Sequence, residues 1–174
     1  MSDSGSATPA TPPAPSPQDV LADLTSRDVS RILRASSTIN WGSRELAEAL
    51  APHVRRIDTE TDNLDYAGML HSNANHVVQA VSVITAAAEG RCVCTTYHGW
   101  MFYEPEKLEQ LGRVEILSHT EPGWSMTFEC RCTLCDATYS VEQGDYHYMW
   151  WQWSKPPKAA KRPKLRYRTA KNVG

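Results

Sequence analysis

The spacing of hydrophobic residues changes at Gly90, which divides the chain into two parts of different character. Before Gly90, apolar side chains recur every three or four positions, the period of a helix with one buried face. After it, apolar and polar residues alternate, most regularly between Trp124 and Cys132, as in a strand with one buried face. The pattern predicts an α+β fold, with an N-terminal helical portion of about three helices packed on a C-terminal antiparallel β-sheet.

The helical portion is predicted over residues 18–90. Ser16 is a suitable N-cap and Pro17 suits the first helical position, so we expect the first helix to begin there. The polar segment 25–28 interrupts the apolar spacing that continues to Leu33. A second helix is expected over 43–56, and Pro52 should end or kink it because proline lacks the N–H of a helix interior.

The segment 62–89 has the most regular helical spacing, although polar residues near position 72 allow a break. Two apolar stripes recur there at intervals of seven, formed by Leu70, Val77 and Ile84 and by Ala67, Ala74, Val81 and Ala88. One interpretation is a core helix that packs on the first two helices. The alternative is a seam through which two copies of the chain associate.

The C-terminal part, residues 91–153, is predicted to be a β meander with one short helix at 104–111. We expect turns at 121–123 and 143–145, where glycine lies among polar residues or beside proline. The predicted strands cover residues 91–97, 100–103, 114–117, 124–132, 137–141 and 146–153.

All five cysteines lie in two short clusters about 40 residues apart, Cys92 with Cys94 and Cys130 with Cys132 and Cys135. Two such clusters can close one tetrahedral site, which a structural zinc ion requires. Three cysteines within six positions are typical of metal binding in a reducing compartment rather than of a disulfide framework. The predicted ligands are Cys92, Cys94, Cys132 and Cys135.

Five thiols exceed the four ligands of such a site, so the composition of the set has alternatives. Cys130 shares a strand face with Phe128 and is expected to be a small buried apolar residue, although it is an alternate ligand. In a second alternative His98 replaces Cys92. Four thiolates would leave no open coordination position, which makes the predicted zinc structural rather than catalytic.

The Cys132-x-x-Cys135 pair, at the end of a predicted strand, resembles a zinc knuckle. Together with Cys92-x-Cys94, residues 91–153 resemble a zinc ribbon, a fold class in which one zinc ion joins β hairpins. The first pair departs from the usual C-x-x-C, and the segment between the pairs is long enough for a short helix. The resemblance implies a structural zinc.

Two catalytic arrangements are alternatives. His119-x-Glu121 before Cys132-x-x-Cys135 is similar to the zinc deaminase pattern, but arginine stands where that pattern has proline. A metal-dependent nuclease would use His147, yet no second acid or histidine lies at a characteristic spacing from it. We therefore expect a non-enzymatic protein.

Positive charge is concentrated in a Pro-rich tail at 154–174. This tail has 8 of the 18 basic residues and no acid, which leaves 10 basic and 20 acidic side chains in the rest of the chain. Extended basic tails neutralise phosphates, so we expect contact with nucleic acid. The alternatives are a solubilising tail, docking on the protein's own acidic body, or an acidic protein partner. The basic residues are Lys155, Lys158, Lys161, Arg162, Lys164, Arg166, Arg168 and Lys171.

Aromatic residues immediately precede this tail. Exposed rings beside a basic strip suit single-stranded nucleic acid because bases stack on them, which makes Trp150, Trp151 and Trp153 candidate binding residues. The alternative is a strand buried on both faces between the sheet and the helices.

The remaining features concern the ends of the chain and its compartment. Residues 1–17, dominated by proline, alanine, serine and threonine, are predicted to be a disordered leader, and the tail is also predicted to be disordered. No secretory signal and no membrane-spanning segment are recognisable. We expect a cytoplasmic protein.

Overall fold

The computed structural model describes residues 15–68 and 72–155, and within them it confirms the α+β class. The helices are α1 (Pro17–Leu24), α2 (Val29–Trp41), α3 (Arg44–Leu50), α4 (Val54–Thr61), α5 (Ala74–Ala88) and α6 (Pro105–Gln110), with 3-10 segments at Ala51–His53 and Val93–Gly99. The strands are β1 (Val114–His119), β2 (Thr127–Cys132), β3 (Thr138–Asp145) and β4 (Met149–Ser154). No helix among these residues is both long and apolar enough to cross a bilayer.

The sheet is an antiparallel meander in the order β1-β2-β3-β4. Because side chains alternate along each strand, one face is buried and the other is largely exposed. The buried face packs against Leu108 of α6 and Tyr97 of the second 3-10 segment. We call it the inner face, and its buried residues are Val114, Phe128, Cys130, Cys132, Tyr139, Val141, Gln143 and Trp153.

The start of the first helix is as predicted. The Ser16 hydroxyl accepts a hydrogen bond from the Asp19 N–H, and the Asp19 carboxylate accepts one from the Ser16 N–H, which completes a capping box. The interruption at 25–28 is also confirmed, since α1 ends at Leu24 and Asp28 caps the N-terminus of α2.

The predicted helix at 43–56 is divided at the proline. Pro52 lies in the 3-10 segment Ala51–His53, which separates α3 from α4, and α4 continues beyond the predicted end to Thr61. Proline cannot donate the hydrogen bond that an uninterrupted helix would need at this position.

The predicted helix at 62–89 is wrong in its first part, because α5 covers only Ala74–Ala88. The Asn73 side chain donates to the Tyr66 carbonyl, so this polar residue ties the preceding loop to the start of the helix. Val77 and Ile84 are buried in the chain's own helical core. Leu70 lies outside the described residues, and self-association through this helix stays a prediction.

The strands predicted at 91–97 and 100–103 are wrong. A 3-10 segment occupies Val93–Gly99, because the hydroxyls of Thr95 and Thr96 donate to the carbonyls of Cys92 and Val93 and close tight turns. Threonine favours strands because it is β-branched, but here these local hydrogen bonds override that preference. The predicted short helix at 104–111 is observed as α6.

The predicted turn at 143–145 is also wrong, because these residues complete β3 and the chain reverses at 146–148. A Cβ added to Gly144 would lie 2.2 Å from the Trp150 ring, so the glycine makes room for the indole on the neighbouring strand. β2 begins at Thr127 rather than at 124, and Trp124 lies in the preceding connection with 83% of its surface exposed.

The helical core and the sheet core are joined at the end of α2. The Arg113 guanidinium, just before β1, donates to the carbonyls of Asn40 and Gly42, which are otherwise unpaired groups at a helix C-terminus. The Trp41 ring packs edge-on against Tyr103 at a centroid distance of 5.6 Å. These contacts fix the helical portion relative to the sheet.

Only parts of the two predicted disordered ends are described. Pro17 already belongs to α1 and Ser154 to β4, so the predicted boundaries of the leader and the tail are wrong by these residues. The rest of the leader and residues 156–174 of the tail lie outside the described residues.

Candidate metal centre

The first two cysteines of the centre, Cys92 and Cys94, lie just after the end of α5. Gly90 has φ of 65°, and the N–H groups of Gly90 and Arg91 donate to the carbonyls of Ala87 and Ala86. This pair of hydrogen bonds is a Schellman motif, which ends the helix sharply and turns the chain away from its axis. Cys92 follows two residues after the glycine.

Cys92 and Cys94 are held by the 3-10 segment. Cys92 precedes its first turn, and its carbonyl accepts hydrogen bonds from both the N–H and the hydroxyl of Thr95. Cys94 lies within the segment and is fully buried, whereas Cys92 is half-buried. The tight turn brings both sulfurs to the same side.

The other two cysteines belong to the turn between β2 and β3. The Asp136 N–H donates to the Cys132 carbonyl at 3.0 Å, and the Cys132 N–H donates to the Ala137 carbonyl at 2.9 Å. Asp136 has φ of 57°, the left-handed conformation that reverses the chain after Cys135. The predicted knuckle is therefore a hydrogen-bonded turn that presents the sulfurs of Cys132 and Cys135 together.

The four sulfurs converge on one point. All of them lie within 4.8 Å of one another, with Cys92 Sγ 3.6 Å from Cys132 Sγ and Cys94 Sγ 3.4 Å from Cys135 Sγ. A tetrahedral zinc with Zn–S bonds of about 2.3 Å would hold its sulfurs about 3.8 Å apart. A disulfide bond is only about 2.05 Å long, so these thiols are free. The donor set and its spacing fit a single metal ion.

Burial controls the protonation of two of these thiols. It raises the pKa of Cys94 well above its ordinary value, and it also raises the pKa of Cys92. Ionising these thiols without a cation is therefore costly. A bound metal ion would supply the missing positive charge and displace the protons, so binding should release protons.

Cys135 differs because it is exposed at the surface. Burial acts to raise its pKa, but the backbone N–H of Ala137 and the neighbouring thiols outweigh that effect, and the pKa lies below its ordinary value. Solvent therefore reaches the centre at Cys135, whose thiol ionises more readily than an ordinary cysteine.

Tyr139 supports the centre from the inner face of the sheet. Its hydroxyl donates to Cys94 Sγ at 3.3 Å. Burial raises the pKa of Tyr139, so the phenol stays protonated and remains a donor at neutral pH. A hydrogen bond to a metal-binding sulfur orients it and stabilises its negative charge. The role of Tyr139 had no signal in the sequence, because Tyr139 comes beside Cys94 only when the 3-10 segment packs on the inner face of the sheet.

The two alternate ligands lie elsewhere. Cys130 is fully buried on the inner face among Phe128 and Val141, and burial raises the pKa of its thiol to about 12. His98 is exposed at the end of the 3-10 segment. Among the described residues, the group of potential metal ligands is Cys92 with Cys94, Cys132 and Cys135.

The catalytic alternatives have no assembled site in the described part of the chain. His119 pairs with Phe128 at the far end of β1, whereas Val114 at the near end pairs with Cys132. Five residues of extended strand span about 16 Å, so a deaminase arrangement of His119 with the cysteine pair does not form. His147 lies in the β3–β4 turn, away from the knuckle.

The predicted binding residues at the end of β4 lie in different environments. Trp153 is buried and its indole N–H donates to the Tyr103 carbonyl, while Trp151 packs partly against the same core. Trp150 lies on the opposite face over Gly144. The strand is thus not buried between the sheet and the helices. Lys155 is exposed, and the other predicted basic residues of the tail lie outside the described residues.

No protein-family model, no curated protein and no solved structure matches this chain. Its function must therefore be inferred from the residues and from the geometry of the cysteine centre.

Proposed function

We propose that this protein is a non-enzymatic binding protein, stabilised by one structural zinc ion, whose basic tail contacts nucleic acid. The observation that carries the zinc assignment is the convergence of four cysteine sulfurs within 4.8 Å. Soft thiolate ligands in a tetrahedral arrangement favour zinc over the hard cations calcium and magnesium, which prefer oxygen.

A zinc ion here would have a structural role. Cys92 and Cys94 with Cys132 and Cys135 supply all four ligands of a tetrahedral site, so no position is left for a substrate or an activated water. The ion would join the segment after α5 to the β2–β3 turn, two parts of the chain separated by about 40 residues. In this respect the centre is zinc-ribbon-like.

Nucleic acid is the proposed partner because of the charge on the tail. Residues 155–174 have eight basic side chains and no acid, and arginine and lysine in an extended segment bind phosphates at regular intervals. The burial of Trp153 favours binding through the tail's charges rather than through stacking on that ring. Such binding should depend strongly on salt and weakly on base sequence.

A matched pair of full-length, zinc-loaded variants tests the nucleic-acid assignment. Arg166→Gln with Arg168→Gln removes two charges from the tail, and Arg55→Gln with Arg56→Gln removes two exposed charges from α4. Fluorescence anisotropy with a labelled single-stranded oligonucleotide is measured across a salt series for both variants and for the unaltered chain.

The tail variant should bind more weakly, and the slope of log affinity against log salt should fall by about 1.4, which corresponds to two phosphate contacts on a single strand. The α4 variant should keep the slope of the unaltered chain. Equal losses of oligonucleotide affinity in the two variants, or no salt-dependent binding by the unaltered chain, would refute the proposed partner.

A further inference from the structure

The face of the sheet opposite the inner core has no covering element among the described residues. We call it the outer face, and α6 and the second 3-10 segment pack on the other side. Most of its side chains are exposed, which leaves room for a chain segment to lie across it. Its residues are Glu115, Ser118, Thr127, Glu129, Arg131, Thr138, Ser140, Glu142, Gly144, Trp150, Gln152 and Ser154.

The outer face has a row of three serines and one glutamate that begins where β4 ends. Ser154 pairs with Ser140, Ser140 pairs with Glu129, and Glu129 pairs with Ser118. Neighbouring strands are about 4.8 Å apart, so Glu129 lies about 10 Å across the sheet from Ser154. A chain that leaves β4 and crosses the sheet would meet this row first.

The charge of the outer face is negative. Arg131 is paired with Glu115, which neutralises both, while Glu129 and Glu142 add two further carboxylates. Glu142 is opposite Thr127, and it is therefore diagonal to Glu129 on the neighbouring strand at about 7–8 Å. The two carboxylates lie on adjacent strands beside the serine row.

The tail satisfies both requirements of an occupant, namely position and charge. It continues directly from β4, which ends at Ser154, and residues 156–174 include seven basic side chains and no acid. Nineteen residues can span at most about 60 Å, several times the width of a four-stranded sheet. Attachment to β4 also raises the local concentration of the tail to about millimolar, so a weak ionic contact becomes populated.

We propose that residues 156–174 dock on the outer face of their own sheet, with lysine and arginine side chains opposite Glu129 and Glu142. The contact is electrostatic and exposed, so it is weakened by salt. It does not depend on the proposed function, but it would make the tail's own sheet a competitor for any nucleic acid that the tail binds.

Carbodiimide cross-linking of the full-length, zinc-loaded chain tests the docking directly, because the reagent joins a lysine amine only to a carboxylate in contact with it. An equal mixture of ¹⁴N- and ¹⁵N-labelled chains distinguishes links within one chain from links between two. The expected result is that tail lysines link to Glu129 and Glu142 several times more often than to Asp58 and Glu60 of α4, within one chain and only at low salt. Links spread evenly over these acids, or links mainly between chains, would overturn the proposal.

A second experiment uses trypsin, which cleaves after the tail's lysines and arginines. Glu129→Gln with Glu142→Gln should increase the rate of tail cleavage several-fold at low salt, because the docked tail is released. Asp58→Asn with Glu60→Gln changes the net charge equally and should leave the rate unchanged. Equal rates in the two variants would contradict docking on this face. Neither experiment contains nucleic acid, so its result is independent of the proposed partner.

Discussion

The Sγ atoms of Cys94 and Cys135 lie 3.4 Å apart, although the two residues are 41 positions apart in the chain. Cys94 is fully buried and Cys135 is exposed, so the centre they share has one protected side and one side open to solvent. The buried side depends on Tyr139 and on the 3-10 segment, and the open side depends on the knuckle turn.

Tyr139→Phe should weaken zinc binding without unfolding the chain. The substitution removes the hydroxyl that donates to Cys94 Sγ but keeps the ring, and loss of such a supporting hydrogen bond typically costs about 10–100-fold in metal affinity. Competition with a chromogenic chelator measures the affinity. Tyr97→Phe is the matched control, because the Tyr97 hydroxyl is buried and has no hydrogen-bond partner in the described chain. Equal affinities in the two variants would show that Tyr139 does not support the centre.

Arg113→Ala should lower the free energy of unfolding by about 2 kcal/mol, because its charged guanidinium pairs two carbonyls at the end of α2. Urea unfolding of the zinc-loaded protein measures the change. Arg131→Ala removes an arginine whose partner, Glu115, is exposed, and should cost less than about 1 kcal/mol. If Arg113→Ala lowered the free energy of unfolding less than Arg131→Ala, Arg113 would not be the residue that holds the end of α2 against the sheet.

Gly90→Ala should destabilise the protein by about 1–2 kcal/mol. Gly90 has φ of 65°, and an added Cβ there would meet no other atom within 4 Å, so the cost is that of the left-handed backbone alone. Gly123→Ala, at a glycine outside that conformation with only the Glu121 carbonyl near, should change stability little. Thermal unfolding of both variants separates these outcomes, and equal melting temperatures would show that the helix end tolerates a side chain.

Stability should fall at alkaline pH because of Tyr103. Burial raises the pKa of Tyr103 to about 12, against the opposing hydrogen bond from the Gln79 side chain, whereas an exposed tyrosine in the unfolded chain titrates near 10. The folded state therefore favours the neutral phenol. The contribution of the Tyr103 phenol to the free energy of unfolding, about 3 kcal/mol, is complete below pH 10 and is lost as the pH rises through 12.

The control for this pH dependence is Tyr103→Phe, which cannot ionise. The variant should be less stable than the unaltered chain at pH 8, since it loses the hydrogen bond with Gln79. The difference in the free energy of unfolding should narrow between pH 10 and 12, because only the unaltered chain has a phenol to ionise at this position. Urea unfolding at each pH gives the two curves. If the two curves of unfolding free energy against pH stayed parallel across this range, the loss of stability at alkaline pH would come from groups other than Tyr103.

The sequence predicted the elements whose signals are local. The capping box at Ser16 fixes the start of α1, and Pro52 divides α3 from α4, because each effect depends on neighbours along the chain. The period-two alternation identified β2 and its inner face for the same reason. The cysteine spacing also sufficed to choose four residues that the fold then brings together.

The errors arose where a contact distant in sequence decides the local structure. Gly144 lies in the predicted turn at 143–145, yet the Trp150 ring of β4 packs over it. Thr95 and Thr96 lie in the predicted strand at 91–97, yet their hydroxyls close 3-10 turns. Arg113 and Tyr139 had no distinguishing pattern. Their roles depend on the end of α2 and on a sulfur 45 positions away.

Native mass spectrometry of the zinc-loaded chain, with thermal unfolding before and after chelation, tests the central claim most directly. The unaltered protein and Cys130→Ala should each bind one zinc ion per chain and lose stability when the ion is removed. Cys94→Ser should bind no zinc with comparable affinity. A chain that keeps its melting temperature after chelation, or a Cys94→Ser variant that retains one tightly bound zinc, would contradict a structural ion held by these four sulfurs.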